Sequence, residues 1–254
     1  MLNNDSLAYT QKFVCHYSSD SKPAAIAFVY ASLSELKAKK NLFLHPNELK
    51  HYETLSFDKR RHSYLLGIHC VKNALRENIP HLSSQAILLK TGIFGQPLIE
   101  TPATLKTHIT VSHTEPLAAT IAFPEEYPMG IDLEYIRPNI ETIMQEQLTI
   151  EEKHTIQRQT IYPPATYYAL YWTAKEAISK ILLTGMTVPF TLYALKNLRW
   201  DVTHWLAEFE HFSQYQAISF LIDNKHICSI VYPKQSALTL DIVAIHKHFS
   251  EYLT

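Results

Sequence analysis

The stretch Trp172-Thr173-Ala174-Lys175-Glu176-Ala177-Ile178-Ser179-Lys180 sets one acid and two bases on a segment that contains no helix breaker. Glu176 and Lys180 stand four residues apart, so at the helical period they leave from one face, while Lys175 leaves from another side. Taken alone, the pair reads as a solvated salt bridge worth about 0.3–0.5 kcal/mol. Upstream, Gly130-Ile131-Asp132-Leu133-Glu134 alternates apolar and acidic residues at the strand period. That puts both carboxylates on one face and Ile131 and Leu133 in the core. Two neighbouring hard oxygen donors suit Mg²⁺, which uses one or two carboxylates and keeps waters or substrate phosphates in its other positions. An ordinary half-buried strand would show the same alternation.

The elements that must position these groups can be read in turn. Pro163 and Pro164 open the helix that carries Glu176, and Gly185 with Pro189 closes it. The segment 129–136 is the strand. Two helical segments, 139–148 and 149–161, lie between them, the second with Thr149 as N-cap and Glu152 three residues later in a capping-box pattern. Strands are predicted at 206–212, 215–222, 227–232 and 238–245. In the first half, strands are predicted at 13–17 and 24–33, and a helical region runs from Pro46 to Asn78 with a break at Phe57 and Asp58. A strand at 86–90, a tight turn at Gly92-Ile93-Phe94-Gly95-Gln96-Pro97 and a hairpin of 109–113 with 117–123 follow. Pro124 and Pro128 flank an acidic connector, which suggests lobes of residues 1–124 and 125–254. Each half offers long helices and then a run of strands, so the fold class is α+β with two similar lobes side by side. No residue-level repeat is evident. Segregated helices and strands argue against a doubly wound parallel sheet.

Composition bounds the function. The 254 residues are 46% hydrophobic with a net charge of −1, which fits a packed globular protein and excludes a strongly basic nucleic-acid binder. No apolar run reaches membrane-span length, and Met1-Leu2-Asn3-Asn4-Asp5 lacks the order of a secretory signal, so a cytoplasmic location is expected. Cys15, Cys70 and Cys228 form no close pair and argue against disulfides or a thiolate metal site. The first 124 residues hold 13 Lys/Arg against 9 Asp/Glu and the remainder 10 against 15, an asymmetry suited to a polyanion held together with a divalent cation.

The pairing of Gly130-Ile131-Asp132-Leu133-Glu134 with Trp172-x-x-Lys175-Glu176-x-x-x-Lys180 resembles the signature of 4′-phosphopantetheinyl transferases of the Sfp type. Arg60-Arg61-x-x-x-Leu65-Leu66-Gly67, Phe94-Gly95-Gln96-Pro97, Val111-Ser112-His113 and Ala122-Phe123 extend the similarity over roughly residues 46–190 in the family's order. The resemblance implies the 4′-phosphopantetheinyl transferase fold, a pseudo-twofold pair of lobes in one monomeric chain. It implies transfer of the phosphopantetheine arm of coenzyme A to a serine of an apo acyl or peptidyl carrier protein, with release of adenosine 3′,5′-bisphosphate and with no nucleic-acid or membrane partner. Carried over by position, Asp132, Glu134 and Glu176 would bind Mg²⁺ at the coenzyme's pyrophosphate. Lys180 would stabilise the charge that builds on the phosphoryl oxygens. Arg60, Arg61, Gln96, Ser112, His113 and Lys175 would contact coenzyme A, with Lys50 a further candidate for its 3′-phosphate. The base for the serine hydroxyl falls at Glu152 or, one residue out of register, Glu151; Glu152 is preferred, with a capping role as its equal alternative. Two positions depart from the family. Gln96 replaces a common lysine, and Ser63 stands where a base is frequent, so weaker coenzyme contacts are expected with the metal triad intact. A non-catalytic carrier or coenzyme binder, and a metal-dependent phosphodiesterase, are the competing classes.

Overall fold

The computed structural model describes residues 8–102 and 105–252. Met1–Asp5, read above for a targeting signal, lies outside the described residues. By its internal contacts the chain divides into two compact units, Met1–Pro128 with Leu238–Leu240, and Met129–Ala237 with Asp241–Thr254. The fold is mixed α+β, and every strand pair whose register is assigned is antiparallel.

In the first unit, β1 (Ala8–Tyr17) and β2 (Asp20–Tyr30) form a hairpin. Helices α1 (Leu33–Phe43), α2 (Pro46–Thr54) and α3 (Asp58–Asn78) come next, followed by the small hairpin of β3 (Leu88–Thr91) and β4 (Pro97–Glu100). The hairpin of β5 (Thr107–Thr114) and β6 (Leu117–Pro124) closes the sequence of elements. The order β1-β2-β6-β5 is extended on the β1 edge by β12 (Ala237–Leu238), next to which Thr239 receives a bond from Val14 N–H at 2.9 Å. Helix α3 buries Leu65, Leu66, Cys70, Val71 and Ala74 against the apolar stretch 23–30 of β2 and against the largely apolar β6. The expected break at Phe57 and Asp58 separates α2 from α3. Helix α1 was not expected: its segment reads as charged, and its formation rests on the Ser32/Glu35 capping box plus burial of Leu36 and Phe43.

In the second unit, β7 (Gly130–Tyr135) leads through α4 (Ile140–Met144) and α5 (Ile150–Gln157) to α6 (Pro164–Ile181). Strands β8 (Leu195–Asp201), β9 (His204–Phe209), β10 (Tyr215–Leu221) and β11 (His226–Pro233) complete a five-stranded sheet in the order β7-β11-β10-β9-β8. Helix α7 (Ile242–Tyr252) ends the described chain. The last segment corrects the strand expected at 238–245. Asp241 caps a helix by accepting from Ala244 N–H at 2.9 Å, and Ile242, Ile245 and Phe249 supply its buried face at helical spacing. Strand β7 is buried on both faces up to Leu133, where a half-buried strand was expected. Helix α4 is also shorter than the ten residues read for it. Among the described residues no helix is long and apolar enough to cross a membrane.

The two units share one internal plan. The first runs β2, helices, β3, β4, β5, β6, and the second runs β7, helices, β8, β9, β10, β11, with the last strand beside the first in each sheet.

Candidate functional site

The site is built where β7 lies on α6. A Cβ on Gly130 would stand 1.9 Å from the carbonyl oxygen of Ala177, so only glycine lets the strand approach the helix this closely. That approach brings the carboxylates of β7 to the polar face of α6. Lys180 Nζ donates to the carbonyl of Ile131 and to Oδ1 of Asp132, each at 2.8 Å. The helical stretch therefore carries a salt bridge to the strand rather than a solvated one along its own surface.

Asp132 is buried and Glu134 and Glu176 are half-buried. The Glu176 carboxyl is pushed up to about 7, by burial first and then by the negative charge of Asp132; Lys180 pulls the other way and Glu134 adds to the rise. Glu134 is raised as well, by burial and by Asp132, against the attraction of Arg137 and Lys180. Three acidic groups thus feel one another in a partly desolvated volume that holds one ammonium. Among the described residues the Glu176 carboxylate makes no hydrogen bond or ion pair, in contrast to the ammonium groups of Lys175 and Lys180.

Among the described residues no group of three or more His, Cys, Asp or Glu side chains is gathered tightly enough to hold a metal ion by itself. One Asp132 oxygen is given to Lys180. The donor chemistry, hard carboxylate oxygens, fits Mg²⁺, an ion that takes one or two carboxylates and completes its shell with water and phosphate oxygens.

The raised Glu176 carboxyl gives a pH signature. Its proton is held more tightly in the folded chain than in the unfolded one, so its contribution to stability is complete below about pH 4.5 and lost as pH rises through about 7. After allowance for solvent screening, the loss is about 1–2 kcal/mol. Metal-free protein should unfold at a lower temperature at pH 8 than at pH 5, and Mg²⁺ should restore stability at pH 8 and little at pH 5. Equal Mg²⁺ effects at both pH values in thermal unfolding would contradict this account of the site.

Glu152 and Lys175 take a different place from the one read in the sequence. Lys175 is 0% exposed and Glu152 1%; Nζ lies 2.7 Å from Glu152 Oε2 and donates to the carbonyl of Gln147 at 3.0 Å. Glu152 also accepts from Thr149 N–H and Leu195 N–H, each at 2.8 Å. Burial pulls the Lys175 ammonium down from its ordinary value, while Glu152 opposes that effect. Both side chains are thus enclosed and hydrogen-bonded within the second unit, whereas the sequence reading places Glu152 as the base and Lys175 at coenzyme A. Glu151, one residue earlier, is exposed in the first turn of α5. Trp172 packs its ring 5.2 Å from that of Phe190, a packing role within the motif.

His113, at the end of β5, is linked through Nε2 to Ser63 Oγ at 2.8 Å, and its ring lies 4.0 Å from where a Gly67 side chain would begin. Ser112 is half-buried beside it. Arg60 and Lys50 are exposed. Arg61 is engaged: Nε donates to the carbonyl of Leu55 at 2.7 Å, and its guanidinium lies 5.7 Å from the centre of the Tyr52 ring. Gln96 turns back on its own hairpin, with Oε1 accepting from Phe94 N–H at 3.0 Å.

One feature escaped sequence reading. Glu48 and Lys72 form a second fully buried pair, with Glu48 at the third position of a capping box, accepting from His45 N–H and Leu89 N–H, and Lys72 donating to the carbonyl of Phe43. Every contact has its counterpart around Glu152 and Lys175, down to the lysine-accepting carbonyl five residues before each glutamate. In each half the glutamate of a capping box meets a lysine some two dozen residues later on the next long helix.

Residues 128–231 match the family model described as the 4′-phosphopantetheinyl transferase superfamily. The matched stretch is less than half of the chain and contains Asp132, Glu134, Glu152, Lys175, Glu176 and Lys180. Among solved structures, holo-ACP-synthase from Plasmodium yoelii is similar at 16% identity, over 45% of this chain and 94% of that one, with a TM-score of 0.32. No curated protein matches the chain.

Proposed function

We propose that this protein is a single-chain, two-lobed 4′-phosphopantetheinyl transferase of the Sfp type that moves the phosphopantetheine arm of coenzyme A onto a serine of an apo acyl or peptidyl carrier protein. The observation that carries the reading is the meeting of Asp132 and Glu134 on β7 with Glu176 and Lys180 on α6, inside the stretch that matches the superfamily model.

In this reading Asp132, Glu134 and Glu176 hold Mg²⁺, which when bound neutralises charge on the coenzyme's pyrophosphate. Lys180, fixed by the Ile131 carbonyl, keeps an ammonium beside Asp132 and offers it to the phosphoryl oxygens as the serine oxygen bonds to the β-phosphorus and adenosine 3′,5′-bisphosphate departs. The serine proton needs an acceptor, and exposed Glu151 takes the place withdrawn from Glu152. By the same reading, Arg60, Lys50 and the Ser63–His113 pair would contact phosphate oxygens of coenzyme A.

The test is mass spectrometry of several unrelated apo carriers incubated with coenzyme A, Mg²⁺ and the protein. A gain of the phosphopantetheine mass is expected on at least one. Coenzyme A hydrolysed without a carrier would favour a phosphodiesterase instead, and binding of carriers without any mass gain would favour a non-catalytic descendant. In the same assay Glu151→Gln should lower turnover about 100-fold with little change in stability, the usual contribution of a positioned base. Near-normal turnover would remove Glu151 from that role.

A further inference from the structure

Lys175 and Glu176 are consecutive on α6, so any slide or rotation that moves one moves the other by the same helical step. Around this point the helix is tied on three sides. Thr173 Oγ1 meets Ser229 Oγ of β11 at 2.6 Å, and Ser229 meets Ser219 of β10 at 2.7 Å. Lys180 is tied to β7 through the Ile131 carbonyl. Lys175 is tied to Glu152, which is itself fixed by the cap of α5 and by the first backbone N–H of β8. Glu176, between these ties, accepts from Ser179 Oγ at its carbonyl at 2.8 Å, but its carboxylate has no tie of its own among the described residues. An unrestrained carboxylate facing two others would swing toward solvent; the backbone beneath it must hold its place.

We propose that the buried Lys175–Glu152 pair is a positioning device that indexes α6 so that Glu176 faces Asp132 and Glu134. The proposal rests on the functional reading above. The copy in the first unit shows what the pair does without a carboxylate beside it: Lys72 is followed by Asn73, whose amide donates to the carbonyl of His69 on its own helix at 2.8 Å. The same clamp therefore fixes a long helix in both units, and only in the second does the next residue belong to the site. A buried pair is a poor way to gain stability, because the cost of desolvating two charges offsets most of their attraction, but it punishes every register in which the partners part.

The two copies supply their own control. Lys175→Met and Lys72→Met should each lower the unfolding temperature of the full chain, since each leaves a buried glutamate unpaired. Mn²⁺ binding, followed by electron paramagnetic resonance, should weaken in Lys175→Met by about tenfold or more, the usual effect of losing support behind a metal ligand. The Mg²⁺ concentration for half-maximal carrier modification should rise by the same factor, with the KM for the apo carrier unchanged. Lys72→Met should keep both values within about twofold, outside the range of a lost support. Where Lys175→Met does not fold, the double variant Glu152→Gln/Lys175→Met replaces the pair by neutral groups of similar volume and carries the same expectation. Wild-type Mn²⁺ affinity in the variant that folds, or an equal loss in Lys72→Met, overturns the positioning role. A wild-type chain with no Mn²⁺ affinity overturns the functional reading itself, and the proposal with it.

Discussion

Glu176→Gln is expected to lower phosphopantetheine transfer by about a thousandfold, equivalent to roughly 4 kcal/mol of lost transition-state stabilisation, while raising the stability of the metal-free protein above pH 7. The two effects have one cause. The carboxyl of Glu176 is pushed up to about 7 because its charged form sits half-buried beside Asp132 and Glu134, with only Lys180 to offset them. Removing that charge relieves the repulsion that a cation would otherwise relieve, and it also removes a hard oxygen donor. A purely structural residue would show the opposite pattern, in which stability falls and turnover per folded molecule persists. Thermal unfolding at pH 8 without metal, together with steady-state transfer at saturating coenzyme A, separates the two. Asp132→Ala should likewise abolish transfer, but it leaves Lys180 without its carboxylate partner and should not gain stability.

The second large effect is expected at Gly130. Its Cβ would lie 1.9 Å from the Ala177 carbonyl oxygen, 2.8 Å from that carbonyl carbon and 3.1 Å from Ile181 Cγ1. Two of these atoms belong to the backbone of α6, so no rotamer change clears them and the strand must leave the helix. Gly130→Ala should therefore destabilise the protein by about 3 kcal/mol, at the upper end for overpacking. At temperatures where the variant is folded it should still have little transfer activity, because the Lys180 bridge to Ile131 and Asp132 spans the same contact. Unchanged unfolding temperature and activity would mean that β7 and α6 are not packed as described.

How much of this was legible in the sequence depends on whether the signal was local. The residues Gly130, Asp132, Glu134, Glu176 and Lys180 stand out through their resemblance to a family signature; strand and helix periods add only which of them share a face. The Thr149/Glu152 capping box could be read from its local spacing, and it forms as expected. What could not be read was which of two local roles a tertiary contact would select. Glu152 serves its cap and also accepts from Lys175 and from Leu195, partners 23 and 43 residues away. Lys175 looked available because nothing near it in sequence is acidic except Glu176. Strand β8 was missed because Leu195–Asp201 carries Lys196, Asn197 and Arg199, and it is held by pairing with β9 across a register shift. Leu238–Ile245 predicts a strand because it is short, largely apolar and partly β-branched; Asp241 lies inside it but acts as a cap only through Ala244 N–H, and Phe249, which completes the helical spacing, lies beyond it. The repeat between the units escaped notice because it resides in contacts rather than in residue identity: His45 and Thr149 cap in the same way with different side chains.

The most direct test of the central claim is anomalous diffraction from crystals of the full chain grown with coenzyme A and Mn²⁺. The account predicts one manganese peak bounded by carboxylate oxygens of Asp132, Glu134 and Glu176, with diphosphate oxygens completing its shell and Lys180 beside it. A peak ligated by other residues, or well-ordered coenzyme with these three carboxylates bare of metal, would contradict it.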